Sequence, residues 1–224
     1  MFIVGCAYNE ENNIKPVLDR LHAVSRRYDA EVLIVNDGST DRTESIIAEH
    51  ELPATILSNP RNLGKGVSLR NALWYIYYNY EPDDNDVLVT LDMDGQHDPS
   101  EIPKLLEKLG EYDMVIGKRN FSGYPFIRKF TNRIYAKFLS LLLGVEMEDA
   151  ESGFRAFRWK VVESILPHLD AKKFEIEAEI NVYASRLGYK IGFVPVSSPF
   201  LNRKREIIIQ GFKIVFTALK CRVV

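Results

Sequence analysis

The residues best placed to do chemistry are Asp92-Met93-Asp94-Gly95-Gln96-His97, which directly follow the apolar run Val87-Leu88-Val89-Thr90-Leu91. A buried-strand pattern ends there, two carboxylates follow at alternate positions, and an amide comes two residues later. At a strand end, such a group can present several oxygens to one hard divalent cation. Mg²⁺ and Mn²⁺ favour oxygen ligands, and Mg²⁺ is usually held by one or two carboxylates plus substrate phosphates. The expectation is a metal that bridges the chain to a ligand containing a diphosphate. The spacing also fits an ordinary turn, since Asp and Gly commonly close strands. His97 suits either support of the metal ligands or a structural hydrogen bond.

The surrounding elements bear on that choice. The first half alternates strand patterns (2–7, 31–36, 54–57, 86–91, 114–117) with helical ones (14–26, 41–50, 66–78, 99–109). Alternating units with nearly continuous apolar strands predict an α/β fold with a mostly parallel central sheet covered by helices on both faces. Asp98, Pro99 and Glu101 read as a helix start with a capping box. The paired carboxylates therefore fall at a strand-to-helix junction, on the carboxyl edge where such sheets bind ligands. Beyond residue 118 the pattern is more helical (127–143, 159–166, 175–187, 206–220), with strands around 153–158 and 190–196. There is no internal repeat or clear linker, and the expectation is one domain over 1–224.

Composition bounds the function. Hydrophobic residues make up 46% and charged residues 27%, as in a globular chain, and a net charge of −2 argues against nucleic-acid binding. Cys6 and Cys221 form no CxxC pair, and Cys6 reads as a small core residue. The chain opens on a strand pattern without signal-peptide features. Its longest uncharged stretch, 191–202, contains two prolines. These features lead to the expectation of a cytoplasmic protein that does not span a membrane.

Three more loops at successive strand ends are unusually polar: Ala7-Tyr8-Asn9-Glu10, Asn36-Asp37-Gly38-Ser39-Thr40-Asp41 and Asn62-Leu63-Gly64-Lys65-Gly66. Each alone could be a turn. In a parallel sheet all carboxyl ends point one way, so the first two of these loops and the Asp92 loop can converge, and the joint placement of all three polar loops favours a nucleotide site. Asp37 is suited to a ribose or base. The Gly-Lys-Gly loop can bring backbone N–H groups and a cation near phosphate. There is no G-x-G-x-x-G after the first strand, and Gly64-Lys65-Gly66 lacks the Walker spacing.

Together with Asp149-Ala150-Glu151-Ser152-Gly153-Phe154-Arg155, these loops resemble glycosyltransferase family 2, with the GT-A fold, and within it the polyprenol-phosphate sugar synthases. The resemblance covers roughly residues 1–205. It implies a nucleotide-sugar donor, a GDP- or UDP-hexose, and Mg²⁺ or Mn²⁺ held around Asp92, Asp94 and Gln96. Ala7, Tyr8, Glu10, Asp37, Lys65 and Asp92 would then contact the donor, with Arg203 or Arg205 as a further cation. Arg119 and Arg155 fall where the family gathers charge around the transferred group, and Asp94 and Asp149 join them as candidate catalytic residues.

The acceptor side can also be read. Residues 114–145 contain no Asp or Glu, but they include Lys118, Arg119, Arg128, Lys129, Arg133 and Lys137 interleaved with aromatic residues. Ile127, Phe130, Ile134, Phe138 and Leu141 recur at helical spacing with the cations largely elsewhere. This suits a helix lying in an anionic membrane interface, near 126–143, and 206–220 repeats the pattern more weakly. A helix packed on the sheet would give the same periodicity; the resemblance favours membrane contact.

A polyprenyl phosphate acceptor has a second pKa near ~6 and is already largely ionised, so it needs positioning rather than a base. Lys118, Arg128 and Arg133, with Arg119, would hold it for in-line, inverting transfer of a hexose. Mannose and glucose fit the resemblance best. Asp149 would orient the acceptor, or act as base for a hydroxyl acceptor. The alternatives are a family-2 transferase that uses a hydroxyl acceptor and a non-catalytic nucleotide-sugar-binding subunit. A peripheral enzyme on the cytoplasmic face, with or without a membrane-protein partner, is the expected setting.

Overall fold

A computed structural model of the chain describes residues 1–121 and 123–199, the Arg128 side chain apart. Seven strands form one sheet: β1 (Phe2–Ala7), β2 (Glu31–Asn36), β3 (Thr55–Ser58), β4 (Val87–Asp92), β5 (Met114–Arg119), β6 (Arg155–Arg158) and β7 (Ile191–Val196). Their order is β3-β2-β1-β4-β6-β5-β7. Every adjacent pair is parallel except those made by β6, which runs antiparallel to β4 and β5. The helices are α1 (Ile14–Tyr28), α2 (Thr43–Ala48), α3 (Lys65–Tyr80), α4 (Ile102–Leu109), α5 (Phe126–Leu143), α6 (Trp159–Ile165) and α7 (Ile176–Arg186).

The apolar strands are buried on both faces. In β1 and β2, Phe2, Val4, Leu33 and Val35 point into a core with α3, α6 and α7. Their neighbours Ile3, Val32 and Ile34 point into a second core with α1 and α4. The period-2 geometry of a strand sends adjacent residues to opposite faces, so two-sided burial requires the continuous apolar run seen in the sequence.

Two local expectations are corrected. Asp98 does accept from Ser100 N at 3.0 Å, but a 3₁₀ turn over Pro99–Glu101 precedes α4. The Glu101 carboxylate does not close a capping box; it accepts from Ser197 N and Oγ at 2.8 and 2.7 Å. It thereby ties the helix start to the segment after β7. The helix expected over 41–50 is shorter, because Asp41 turns back to accept from Thr43 N and Oγ1.

The α5 helix departs from the usual amphipathic surface helix, with apolar residues on its core-facing side and on a solvent-facing side as well. Tyr135 and Leu139 pack against Met147, Ala150, Ala178 and Val182, and Phe138 of the apolar stripe packs partly buried beside them, while the rest of the stripe faces outward. Phe126 is 80% and Leu141 86% exposed, and Ile127, Phe130 and Ile134 are each more than half exposed. Among the described residues no helix is long and apolar enough to cross a membrane. The expected helix over 206–220, Arg203 and Arg205 lie outside the described residues.

Candidate active site

The first three polar loops meet, and side chain-to-backbone hydrogen bonds hold them together. Asn9, in the left-handed region at φ 53°, receives a bond from Thr40 N at 2.8 Å and donates its own N–H to Ser39 Oγ at 3.0 Å. Glu10 N donates to Thr43 Oγ1 at 2.7 Å. Asp37 joins the second loop to the third: its carboxylate accepts from Asn59 Nδ2, Leu63 N and Gly64 N at 2.8–2.9 Å. Gly38, at φ 68°, lies against the Arg61 backbone with no room for a Cβ. The close approach of these loops therefore depends on glycine.

Across the sheet edge from these loops, β4 ends beside β1, with Cys6 paired to Asp92 and Met93 N donating to Cys6 O. His97 folds back under the strand end. Its Nδ1 accepts from Asp92 N at 2.9 Å, and its ring stacks on Phe154 at 5.3 Å. Burial lowers the His97 pKa, outweighing nearby Asp92 and Asp94. The ring is therefore neutral, with its proton on Nε2, and serves as a structural hydrogen-bonding group that fixes the carboxylate loop.

A cleft of about 300 Å³ opens over this edge, lined by Ala7, Tyr8, Glu10, Asp37, Asn62, Gly64, Lys65, Asp92 and Asp94. All the expected donor-contacting residues among the described positions thus share one cavity. Its floor is a buried ionic triad, in which Lys65 Nζ lies 2.5 Å from Asp92 Oδ1 and 2.6 Å from Glu177 Oε1. Burial disfavours the ammonium charge, but the two carboxylates more than offset this and hold the Lys65 pKa above the ordinary lysine range. Cys6 also lines the cleft, and burial pushes its thiol up to about 12, so it is not a nucleophile.

The structure relocates other expected site residues. Gln96 does not line the cleft; its Nε2 reaches the Pro199 carbonyl at 3.4 Å. Asp149 is fully buried, and its carboxylate takes both Nε and Nη2 of Arg119, at 2.7 and 2.8 Å, together with the Arg119 backbone N–H. With those bonds made, Asp149 positions Arg119 and is not open as a base. Burial disfavours the Arg119 charge, yet Asp149 and Glu151 hold its pKa up. Arg155 is 1% exposed and donates to the carbonyls of Ser152, Glu177 and Ala150. It therefore fastens the 150–153 segment to α7 instead of placing charge in the cleft.

Three residues near the cleft were not singled out from sequence: Lys173 and Phe174, which line it, and Glu177 beneath it. In the sequence Glu177 is an acid near the start of the helix expected over 175–187, where the macrodipole favours one in any case. Nothing local distinguished it from its neighbours.

A second, open groove of about 670 Å³ runs along α5. Lys118, Lys129, Arg133 and Lys137 line it, with Asn132, Glu146 and Glu148. Lys118 pairs there with Glu148. Of the expected acceptor-phosphate residues, Lys118 and Arg133 are brought together here.

The family model described as "Glycosyl transferase family 2" matches residues 2–166. The chain belongs to glycosyltransferase family 2. Among curated relatives of this glycosyltransferase is a UDP-N-acetylglucosamine–dolichyl-phosphate N-acetylglucosaminyltransferase of Methanococcus voltae, 29% identical over 98% of this chain and 94% of that protein. An undecaprenyl-phosphate mannosyltransferase of Micrococcus luteus is 28% identical over 88% and 82%. Among solved structures, the glucosyl-3-phosphoglycerate synthase of Mycobacterium tuberculosis in complex with Mn²⁺, UDP and glucosyl-3-phosphoglycerate superposes with a TM-score of 0.74 at 22% identity. It covers 98% of this chain and 78% of that one, which establishes the GT-A fold.

Proposed function

We propose that this family-2 enzyme transfers a hexose from a nucleotide-sugar donor to a polyprenyl phosphate at a membrane surface, with inversion at the anomeric carbon. The observation that carries the reading is α5. An exposed apolar stripe on this helix lies beside a groove of four cations, in a protein whose sheet edge carries a nucleotide-sized cleft. A water-soluble acceptor gives no reason to keep Phe126, Ile127, Phe130, Ile134 and Leu141 in solvent, whereas a lipid interface does. The relatives named as lipid-phosphate transferases support the same acceptor class.

The residues divide the work as follows. The Asp37 and Glu10 loops take the nucleoside, and the groove cations hold the acceptor phosphate in line. An oxygen of that phosphate forms the new bond to the anomeric carbon as the nucleoside diphosphate departs with the bonding pair from the opposite face. The acceptor arrives ionised, so no base is needed. The burial of Asp149 against Arg119 agrees with this and disfavours a hydroxyl acceptor.

The cleft also suits Mg²⁺ or Mn²⁺, because Asp92 and Asp94 supply hard oxygens. Among the described residues no three carboxylates, histidines or cysteines cluster closely enough to hold a metal alone. Asp94, with Asp92, would hold it together with donor phosphate oxygens. When bound, the metal neutralises the charge on the leaving diphosphate.

The reading is tested by incubating the protein with radiolabelled GDP-mannose, UDP-glucose or UDP-N-acetylglucosamine and Mn²⁺, with and without polyprenyl phosphate. Label should enter the organic phase only when the lipid is present. Transfer to a water-soluble hydroxyl acceptor, with none to lipid, would overturn the proposal.

A further inference from the structure

We propose that Lys173 is a cation of the donor site that contacts the diphosphate, and that the 170–174 segment is built to hold it there. This rests on the donor reading above, but the residue lies beyond the family match, which ends at 166.

The segment is held at residues 170–172. Glu179, 5% exposed on α7, accepts from Asp170 N and Ala171 N, both at 2.8 Å. The Lys172 carbonyl accepts from Gly66 N at 3.0 Å and Val67 N at 3.4 Å. Gly64 and Gly66 lie so close to the Lys172 and Ala171 carbonyls that neither position has room for a Cβ. The Gly-Lys-Gly loop, whose Gly64 N–H also serves Asp37, and the 170–174 segment therefore form one rigid wall. Lys173 lays its aliphatic stem against Gly64 and lines the cleft.

Charge then favours the assignment. The cleft is lined by the carboxylates of Glu10, Asp37, Asp92 and Asp94 and by two cations, Lys65 and Lys173. Lys65 is committed to Asp92 and Glu177 beneath the floor. Lys173 is exposed and has no ion pair among the described residues. A diphosphate entering this acidic cleft needs compensating positive charge, and an ammonium on a flexible stem supplies it as a point charge to phosphate oxygens.

The test is calorimetric titration of UDP and GDP, each with Mn²⁺, and of uridine and guanosine, into wild type, Lys173→Met and Lys173→Arg. One charge-assisted hydrogen bond at the lower end of its range predicts a roughly tenfold loss of diphosphate affinity in Lys173→Met. The loss should shrink as salt is raised, Lys173→Arg should keep most of the affinity, and nucleoside binding should not change. Unchanged diphosphate affinity in Lys173→Met overturns the assignment, and so does an equal loss for nucleoside and diphosphate. If wild type binds neither diphosphate, the donor reading fails and this proposal with it.

Discussion

Lys65→Met is the sharpest perturbation of the site. It removes the ammonium between Asp92 and Glu177 but keeps most of the stem volume. Glu177 is 5% exposed at its side chain, and its second oxygen has no hydrogen-bond partner among the described residues, so Lys65 is its main compensation. Removing one partner of a buried ion pair costs about 3–5 kcal/mol. The Asp92 side chain is 23% exposed, which places the expected loss near the lower end, about 3 kcal/mol. For a chain of this size, at roughly 2–4 °C per kcal/mol, that lowers Tm by about 6–12 °C.

Urea unfolding near neutral pH, paired with calorimetry, measures the loss. Adding Glu177→Gln to Lys65→Met should recover part of it, because the orphaned charge disappears, with a coupling on the order of 1 kcal/mol or more in the double-mutant cycle. The pH dependence has a definite sign. The folded pKa of Lys65 is raised, so its contribution is complete below an ordinary lysine value of ~10.4 and declines as pH rises through the folded value. A Lys65→Met protein within about 0.5 kcal/mol of wild type would refute the reasoning. So would a Glu177→Gln substitution that deepened the loss.

Burial lowers the folded pKa of His97, so the unfolded chain takes up this proton first as pH falls below ~6.5. The stability difference between wild type and His97→Gln should accordingly narrow toward acid; a widening gap would contradict a neutral His97. Phe126→Ser with Phe130→Ser alters two exposed rings, so Tm should hold while binding to anionic liposomes falls by roughly tenfold or more, at ~1.5–3 kcal/mol per fully buried ring. Unaltered co-sedimentation would remove α5 from the membrane contact. Asp94→Asn should abolish the Mn²⁺-dependent part of the thermal upshift given by UDP or GDP, which approaches about 2.7 kcal/mol at a hundredfold excess over Kd. An unchanged upshift would exclude Asp94 as a metal ligand.

Much of this protein was legible in its sequence. Continuous apolar runs separated by amphipathic helices are the pattern of a mostly parallel sheet covered on both faces. Such a sheet brings the loops after β1, β2 and β4 to one edge by geometry alone. Convergence of Tyr8, Glu10, Asp37 and Asp92 therefore followed from the order of the elements. The partners of charged side chains were not legible, because ion pairs join residues far apart in the chain and leave no local period. Only the tertiary structure decided that Lys65 is held by Glu177, that Asp149 is committed to Arg119, and that Arg155 fastens backbone carbonyls. It alone placed Lys173 in the cleft, and it alone left a second apolar stripe of α5 facing outward. Periodicity reveals that a helix has two faces, but which face is covered depends on what the rest of the chain packs against it.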